Sequence, residues 1–314
     1  MNPNDSISDS NPSQHLTGEE LQSIPLKRRK LDAGLYVVST PIGNLRDITL
    51  RALETLHSAD HILAEDTRQT RKLLGAYDIK TPLSAYHDHN AAKRVPKLIK
   101  ELIAGQRLAL VSDAGTPLVS DPGFKLVRAA VEAKIEVFPL PGASAVLAGL
   151  VKSGLPSDKF IFAGFLPPKS AARRTALQDF IALKATVILF ETGPRIKACL
   201  QDIADILGER DIVLTRELTK HYEEARRGTA LSLLKSMRKS PPKGEIVLLI
   251  APAINGASWT EAKVKQALVN QIEKAGVKRA SADIALQSGW AKRDVYQLAL
   301  SLKSKSVKPD ENKN

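Results

Sequence analysis

Cysteine is almost missing from this sequence of 314 residues, since Cys199 is the only one. A single cysteine excludes a disulfide framework and any zinc or iron–sulfur site built from several thiolates, and it is typical of a reducing compartment. No apolar run approaches the roughly 18 residues of a membrane-spanning helix, and the polar N-terminal residues do not resemble a signal peptide. We therefore expect a cytoplasmic protein with no membrane segment and no metal site.

Two common nucleotide-binding motifs are also missing. The chain has neither a G-x-x-x-x-G-K-[ST] phosphate loop nor a G-x-G-x-x-G motif after its first predicted strand. Their absence argues against a P-loop kinase and a dinucleotide-dependent dehydrogenase. Aromatic residues make up only 4% of the chain. Simple RNA-binding modules usually present aromatic platforms, so this scarcity argues against a protein that only binds RNA.

Positive charge is plentiful. The chain has 46 Lys and Arg against 34 Asp and Glu, which gives a formal net charge of +12. Such an excess favours a polyanionic partner, most simply a nucleic acid. The alternative is a solvated basic surface without a partner.

Hydrophobic periodicity divides the chain into four segments. Residues 1–33 have no pattern, which predicts a disordered tail. Segments 34–154 and 155–253 each alternate short apolar runs with amphipathic helical patterns, which predicts two α/β domains, the first with a mostly parallel sheet. Segment 254–314 has helical patterns followed by a Lys/Ser-rich end, which predicts a helical extension with a disordered end.

Small and polar residues follow the first apolar run, at the end of a predicted strand. Pro41, Gly43 and Asn44 lie in this loop, which covers residues 39–47. Ligands of open α/β sheets bind at the carboxyl ends of the strands, so the loop is a candidate ligand contact. The alternative is a plain turn in which Asp47 caps the following helix.

The second apolar run ends in charged residues. Asp66, Arg68, Arg71 and Lys72 follow it and belong to a predicted helix start. They are candidates for substrate contact at the same edge of the sheet. The alternative is a helix with an N-cap and a solvated face.

The third apolar run is followed at once by Asp113, with Ala114 and Gly115 leaving room above it. An aspartate in this position can accept hydrogen bonds from a ribose or an ammonium group. Asp121 precedes a proline and is interpreted as the N-cap of the next helix. A fourth run leads into small residues at 141–145, which could admit a planar base or simply pack a helix. Together these loops predict a nucleoside-sized pocket.

Seven motifs resemble those of the tetrapyrrole (corrin/porphyrin) methylase superfamily, and especially its ribosomal RNA branch. They are Ser-Thr-Pro-Ile-Gly-Asn-Leu-x-Asp at 39–47, Glu-Asp-Thr-Arg at 65–68, Ser-Asp-Ala-Gly-Thr-Pro at 112–117, Pro-Gly-Ala-Ser-Ala at 141–145, Phe-Ala-Gly-Phe-Leu-Pro-Pro-Lys at 162–169, Arg-Glu-Leu-Thr-Lys at 216–220 and Lys-Gly-Glu-Ile-Val at 243–247. The chain departs from the branch at 191–195, where Glu-Thr-Gly-Pro-Arg replaces Glu-Ser-Pro-His-Arg. Pro194 stands at the position of that histidine.

The resemblance implies an α/β fold of two domains of the tetrapyrrole methylase type, with a cofactor cleft between them and a small C-terminal helical extension. It implies S-adenosylmethionine as methyl donor, a homodimer, and 2′-O-methylation of a cytidine ribose in the decoding region of 16S ribosomal RNA, free or in the small subunit. The donor-binding positions carried over by motif are Pro41, Gly43, Asp113, Ala114, Gly115, Thr116, Ser144, Ala145, Phe190 and Glu191.

Methyl transfer to a hydroxyl requires alignment of the reacting atoms and an acceptor for the proton. We expect Lys220 to orient the oxygen and Glu217 to accept the proton, with Asn44 as a further polar group. The alternative for the first two is a surface ion pair. The candidate RNA contacts are Asp66, Arg68, Arg71, Lys72, Lys169, Arg173 and Arg216, with Arg174 beside them. Two alternative functions stay open: a methylase of a tetrapyrrole or other small acceptor, and a non-catalytic RNA-binding assembly factor.

Overall fold

The structure is a computed structural model that describes residues 25–237, 242, 244–253, 261–288, 290 and 292–305. The predicted disorder at 1–24 and 306–314 falls outside these residues, as does Lys243 of the seventh motif. Residues 25–33 contain no helix or strand, yet they contact the fold. Leu26 and Leu31 pack against the first core, and Arg29 Nε donates to Glu54 Oε2 at 2.9 Å.

The first sheet is parallel throughout, because its strands are joined by helical crossovers. Its strands are β1 (Gly34–Val38), β2 (His61–Ala64), β3 (Leu83–Ala85), β4 (Arg107–Val111) and β5 (Val137–Leu140), in the order β3-β2-β4-β1-β5. Strands β1, β2 and β4 are apolar and almost wholly buried, as expected for a sheet covered on both faces. The predicted α/β class with a mostly parallel first sheet is confirmed.

Five helices accompany this sheet: α1 (Leu50–Ser58), α2 (Thr67–Ala76), α3 (Asp88–Ile103), α4 (Phe124–Glu132) and α5 (Ala145–Ser153). Two predicted caps are wrong. Thr49 caps α1 by accepting from the Ala52 N–H, and Asp47 lies in a preceding 3₁₀ turn. Gly123 is the N-cap of α4, so Asp121 is left available for another contact.

The second sheet is mixed. Its strands are β6 (Phe160–Phe165), β7 (Thr186–Thr192), β8 (Ile212–Arg216), β9 (Glu224–Gly228) and β10 (Glu245–Ile250), in the order β6-β7-β10-β8-β9. Among the strand pairings of the described residues, only that of β6 with β7 is parallel. Helices α6 (Ser170–Gln178), α7 (Ile196–Leu207) and α8 (Ala230–Ser236) cover one face and bury a separate apolar core.

Helix α5 joins the two sheets. Its Val146 and Leu150 pack with Val213 and Val247 of the second sheet. Gly149 allows this close approach, because a Cβ built on it would lie 2.9 Å from Val247 Cγ1. The helix therefore fixes the second sheet against the loops that end the first.

The C-terminal segment is helical, as expected. Helices α9 (Glu261–Ser288, interrupted at Gly276, where φ is +74°) and α10 (Lys292–Lys305) pack on each other around Val264, Leu268 and Ile284. Within the described ranges no helix is long and apolar enough to span a membrane. The domain boundaries at 154 and 253 stay a prediction.

Candidate functional site

A cavity of about 340 Å³ lies where the loops of the two sheets meet. Its volume is within the range of sites for metabolites and cofactors. The residues from the first sheet and its helices are Ile42, Glu65, Asp113, Ala114, Gly115, Thr116, Val119, Ser120, Asp121, Ser144, Ala145 and Val146. The residues from the second sheet and its loops are Phe165, Phe190, Glu191, Thr192, Glu217, Leu218, Lys220, Glu245, Ile246 and Val247.

The loops after β1, β4 and β5 are fastened to one another at the floor of this cavity. Thr40 and Gly115 exchange two backbone hydrogen bonds, of 2.8 and 3.0 Å. The Ser39 hydroxyl donates to the Leu140 carbonyl and lies 2.9 Å from the Thr116 hydroxyl. Gly115 has φ of +79°, a conformation that favours glycine. These loops therefore lie together at one edge of the sheet, as the sequence predicts.

The cavity is strongly acidic, although the whole chain is basic. Among the described residues that line it, Lys220 is the one basic residue and six are acidic: Glu65, Asp113, Asp121, Glu191, Glu217 and Glu245. This excess suits a ligand that carries positive charge. Among the residues described, no group of three or more His, Cys, Asp or Glu could hold a metal ion.

Two of these carboxylates have strongly raised pKa values. Burial, followed by the charges of Asp121 and Asp113, raises the pKa of Glu65 to about 7. Burial, partly offset by a hydrogen bond from Ser112, raises the pKa of Asp121 to about 6. Near neutral pH the carboxyl groups of Glu65 and Asp121 are therefore only partly ionised, and a bound cation would favour their ionised forms.

Glu191 lies at the inner wall, almost fully buried. Its Oε1 accepts from the Thr192 N–H at 2.9 Å and pairs with Arg195 Nε at 3.1 Å. No N–H or O–H of the described residues donates to its buried Oε2. Val187 and Leu189 of β7 pack with Cys199, whereas Ile188 and Phe190 lie on the opposite face of the strand. Glu191 follows the first pattern, and its carboxylate hydrogen-bonds with Cys199, so it belongs to the helix-covered face. In the altered motif, Arg195 also donates to the Leu166 carbonyl at 2.6 Å.

Cys199 lies behind this wall. Burial, followed by the charge of Glu191, raises the pKa of its thiol to about 12. The thiol is therefore protonated and unreactive at neutral pH, and the only cysteine of the chain has a packing role.

The predicted pair Glu217 and Lys220 is formed at the cavity, with Nζ 3.2 Å from Glu217 Oε1 and 3.9 Å from Glu245 Oε2. Both residues belong to the turn after β8, where Glu217 and Thr219 have φ of +51° and +64°. Backbone conformations of this kind are unfavourable for non-glycine residues and cluster at functional sites. The catalytic role of the pair stays a prediction.

Eight of the ten predicted donor contacts line the cavity, whereas two of them and the predicted catalytic residue Asn44 do not. Asp113, Ala114, Gly115, Thr116, Ser144, Ala145, Phe190 and Glu191 are all lining residues. Pro41, Gly43 and Asn44 are not among them. Gly43 lies behind Lys220, and the Asn44 side chain accepts from the Arg46 N–H at 3.1 Å.

The candidate RNA contacts have different surroundings. Arg71, Lys72 and Lys169 are exposed. Arg68 is exposed as well, but it pairs with Asp66 at 2.7 Å and lowers the pKa of that carboxyl to about 2. Arg216 pairs with Glu224 at 2.7 Å and is mostly buried.

The prediction that Arg173 contacts RNA is wrong. Its side chain is only 3% exposed, and its Nε donates to the buried Asp202 at 2.7 Å. The buried guanidinium is therefore inaccessible to an RNA phosphate. Arg173 lies one turn before the buried Leu177 on α6, and this helical spacing is the signal that could have identified it as an inward residue.

Sequence reasoning missed Glu65, Asp121, Phe165 and Glu245 as lining residues. Glu65 stands in the Glu-Asp-Thr-Arg motif beside the candidates Asp66 and Arg68, and Asp121 resembles a helix N-cap because a proline follows it. A signal existed for both, because each is a carboxylate in a loop at the carboxyl end of a strand.

Comparison with known proteins agrees with this geometry. A family model described as Tetrapyrrole (Corrin/Porphyrin) Methylases matches residues 34–233. A Mesorhizobium japonicum protein named ribosomal RNA small subunit methyltransferase I is 47% identical over 284 residues, covering 90% of this chain and 96% of that one. A Synechocystis protein of the same name is 46% identical over 275 residues, covering 86% and 98%.

Solved structures show the same fold. Uroporphyrin-III-C-methyltransferase from Thermus thermophilus has a TM-score of 0.51 at 20% identity, covering 70% of this chain and 95% of its own. A diphthine synthase has a TM-score of 0.53 at 16% identity, covering 69% and 89%. The predicted methyltransferase class and the S-adenosylmethionine donor are confirmed by the sequence relatives and the family match. The chain belongs to the tetrapyrrole (corrin/porphyrin) methylase family, in the group whose members are named ribosomal RNA small subunit methyltransferase I.

Proposed function

We propose that this methyltransferase methylates the 2′-oxygen of a cytidine ribose in the decoding region of 16S ribosomal RNA. The observation that carries the proposal is the acidic cavity formed jointly by the loops of both sheets. Relatives named ribosomal RNA small subunit methyltransferase I support ribosomal RNA as the acceptor. The cytidine and its 2′-oxygen come from the motif resemblance.

The donor fits the acidic part of the cavity. S-adenosylmethionine supplies an activated methyl group on a sulfonium, and it also carries an ammonium. The small residues Ala114, Gly115 and Ala145 leave room for it, while the Asp113 carboxylate can accept its hydrogen bonds. The surplus of carboxylates favours this cationic ligand over a neutral one.

Glu217 and Lys220 serve the acceptor. Lys220 holds the ribose oxygen and, through its charge, makes the hydroxyl more acidic. Glu217, 3.2 Å from the Lys220 amine, takes the proton that leaves as the oxygen is methylated. The exposed Arg71, Lys72 and Lys169 bind phosphates beside the reacting nucleotide.

The protein acts in the cytoplasm as a homodimer. Exposed apolar side chains such as Leu147 and Val151, one turn apart on α5, support a contact with a second copy. Light scattering of the purified chain tests this: a mass of one chain at micromolar concentration would contradict it.

The test of the function is transfer of radiolabelled methyl to small ribosomal subunits, followed by nuclease digestion and mass spectrometry. We expect label on the ribose of one cytidine. Lys220→Met and Glu217→Gln should each lower kcat by about 10²-fold or more, with donor affinity by calorimetry within threefold of wild type. Lys159→Ala, an exposed change before β6, is the matched control. Label only on a porphyrinoid, or on a base, would contradict the proposal.

A further inference from the structure

An aromatic cluster stands at the second-sheet side of the cavity, although the chain has few aromatic residues. The Phe190 ring lies edge-on to Phe162 at a centroid distance of 4.8 Å and to Phe165 at 5.7 Å. Phe165 and Phe190 both line the cavity. Phe190 is only partly exposed, whereas Phe165 is 50% exposed. The outer ring of the cluster is therefore supported on one side and open to solvent.

The backbone is shaped to present this ring. The pairing of β6 with β7 shifts register between Phe162 and Phe165, and Gly164 within the shift has φ of +61°. Bulges of this kind often re-aim a side chain next to a functional site. A Cβ on Gly164 would lie 3.2 Å from Ser120 Oγ, so the bulge closes against the loop after β4. Phe165 is thus held at the junction of both halves of the cavity.

The acceptor nucleotide of the proposed reaction carries a group that could bind the Phe165 ring, namely its base. A ribose oxygen can reach the cavity only if its nucleotide leaves the stack of its neighbours, which exposes both faces of the base. An exposed, edge-supported phenyl ring offers a face to such a base. Lys169, four residues further along the chain, is exposed and can reach a phosphate of the same strand.

We propose that Phe165 is the stacking platform for the nucleobase of the acceptor nucleotide. This inference rests on the proposed function and adds a subsite to it. The predicted donor contacts are the loops after β4 and β5 and the end of β7, where Phe190 is the inner ring of the cluster. The outer ring, Phe165, is therefore assigned to the acceptor. Stacking on a phenyl ring does not select among bases, because each base has a π-face. Phe165 therefore contributes affinity and position, and the choice of cytidine depends on polar groups at the base edge.

The test compares Phe165→Leu with Phe165→Tyr, which keeps a stacking ring. Phe160→Leu is the matched control, because Phe160 is 41% exposed on the same strand but at its opposite end. We expect Phe165→Leu to raise KM for small subunits about 10-fold, the loss typical of stacking on one base. Phe165→Tyr and Phe160→Leu should stay within about twofold of wild type. Thermal melts verify that all variants fold.

Two binding measurements separate this proposal from its alternatives. Calorimetry should give an unchanged donor Kd for Phe165→Leu; an increase matching that in KM would mean that the ring packs on the donor and would overturn the proposal. An RNA oligonucleotide with an abasic acceptor position should bind wild type about 10-fold more weakly than the intact one, and Phe165→Leu should lose this difference. Equal binding of both RNAs by wild type would also overturn it. If wild type shows the difference but labels no RNA, the proposed function fails and the stacking subsite stands.

Discussion

Gly43, in the loop after β1, lies directly against Lys220, in the turn after β8. A Cβ built on Gly43 would lie 2.5 Å from Lys220 Cγ and 2.9 Å from the Leu218 carbonyl oxygen. Because Gly43 has no side chain, the stem of Lys220 can pack against its backbone, and this contact positions the Lys220 amine. Because the two residues come from different sheets, this contact also sets the spacing of the two halves of the cavity.

The change Gly43→Ala should lower activity without unfolding the protein. The added methyl must push the backbone at Leu218 and the stem of Lys220 away, and a displacement of about 1 Å in a reacting group can cost about 10²-fold in rate. We expect a fall in kcat of at least tenfold, measured by methyl transfer. Gly75→Ala is the control, because nothing lies within 4 Å of a Cβ there, and in α2 it should stabilise the fold by about 0.5–1 kcal/mol. Normal activity of Gly43→Ala would mean that Lys220 needs no fixed position.

Arg173 and Asp202 form a buried ion pair, so replacing Asp202 should destabilise the fold without affecting RNA binding. Asp202→Ala removes the carboxylate that faces Arg173 and leaves a buried charge with carbonyl partners only. We expect the free energy of unfolding in urea to fall by about 3 kcal/mol. Asp205→Ala, which removes an exposed partner of Arg174, should cost less than about 1 kcal/mol. A loss below 1 kcal/mol for Asp202→Ala would show that the pair is not desolvated.

The sequence predicted the fold where local patterns carry the information. The strands at 34–38, 61–64 and 107–111 are continuous apolar runs, and each forms a buried strand close to its predicted limits. Two strands at sheet edges escaped prediction. Strand β3 has only three residues, and β9 reads Glu-Ala-Arg-Arg-Gly, because edge positions do not require an apolar pattern.

The sequence predicted which loops form the site, but not the electrostatic environment or the orientation of individual side chains. Glu65 owes its raised pKa to burial and to Asp121, which lies 56 positions away in the sequence, and this proximity exists only once β2 and β4 are paired. Likewise, a run of two arginines at 173–174 does not show which of them faces inward without the phase of α6. Long-range pairing and helix phase are therefore what the sequence pattern left undetermined.

The exposed cations on α2 predict a change in the salt dependence of RNA binding. Arg71→Ala and Lys72→Ala should each weaken binding and reduce the slope of log K against log salt by about 1, because each removes one phosphate contact. The slope is measured by filter binding of a 16S fragment between about 50 and 200 mM salt. Lys159→Ala removes an equal charge at the amino end of β6 and should leave the slope unchanged. Equal slopes for all variants would place the RNA elsewhere on the protein.

The raised pKa of Glu65, about 7, predicts that donor binding weakens on acidification. Glu65 is ionised above this pKa and neutral below it, whereas S-adenosylmethionine, whose α-amino group takes up a proton on acidification, loses no positive charge between pH 8 and pH 5.5. Its attraction to the cavity therefore falls as Glu65 takes up a proton, and binding of the cation in turn favours the ionised form. Loss of an attraction of about 1 kcal/mol corresponds to an increase in donor Kd of about fivefold from pH 8 to pH 5.5. Calorimetry should show this increase for wild type and for Glu136→Gln, an exposed change before β5, and a clearly smaller one for Glu65→Gln. An unchanged pH dependence in Glu65→Gln would show that Glu65 does not sense the donor.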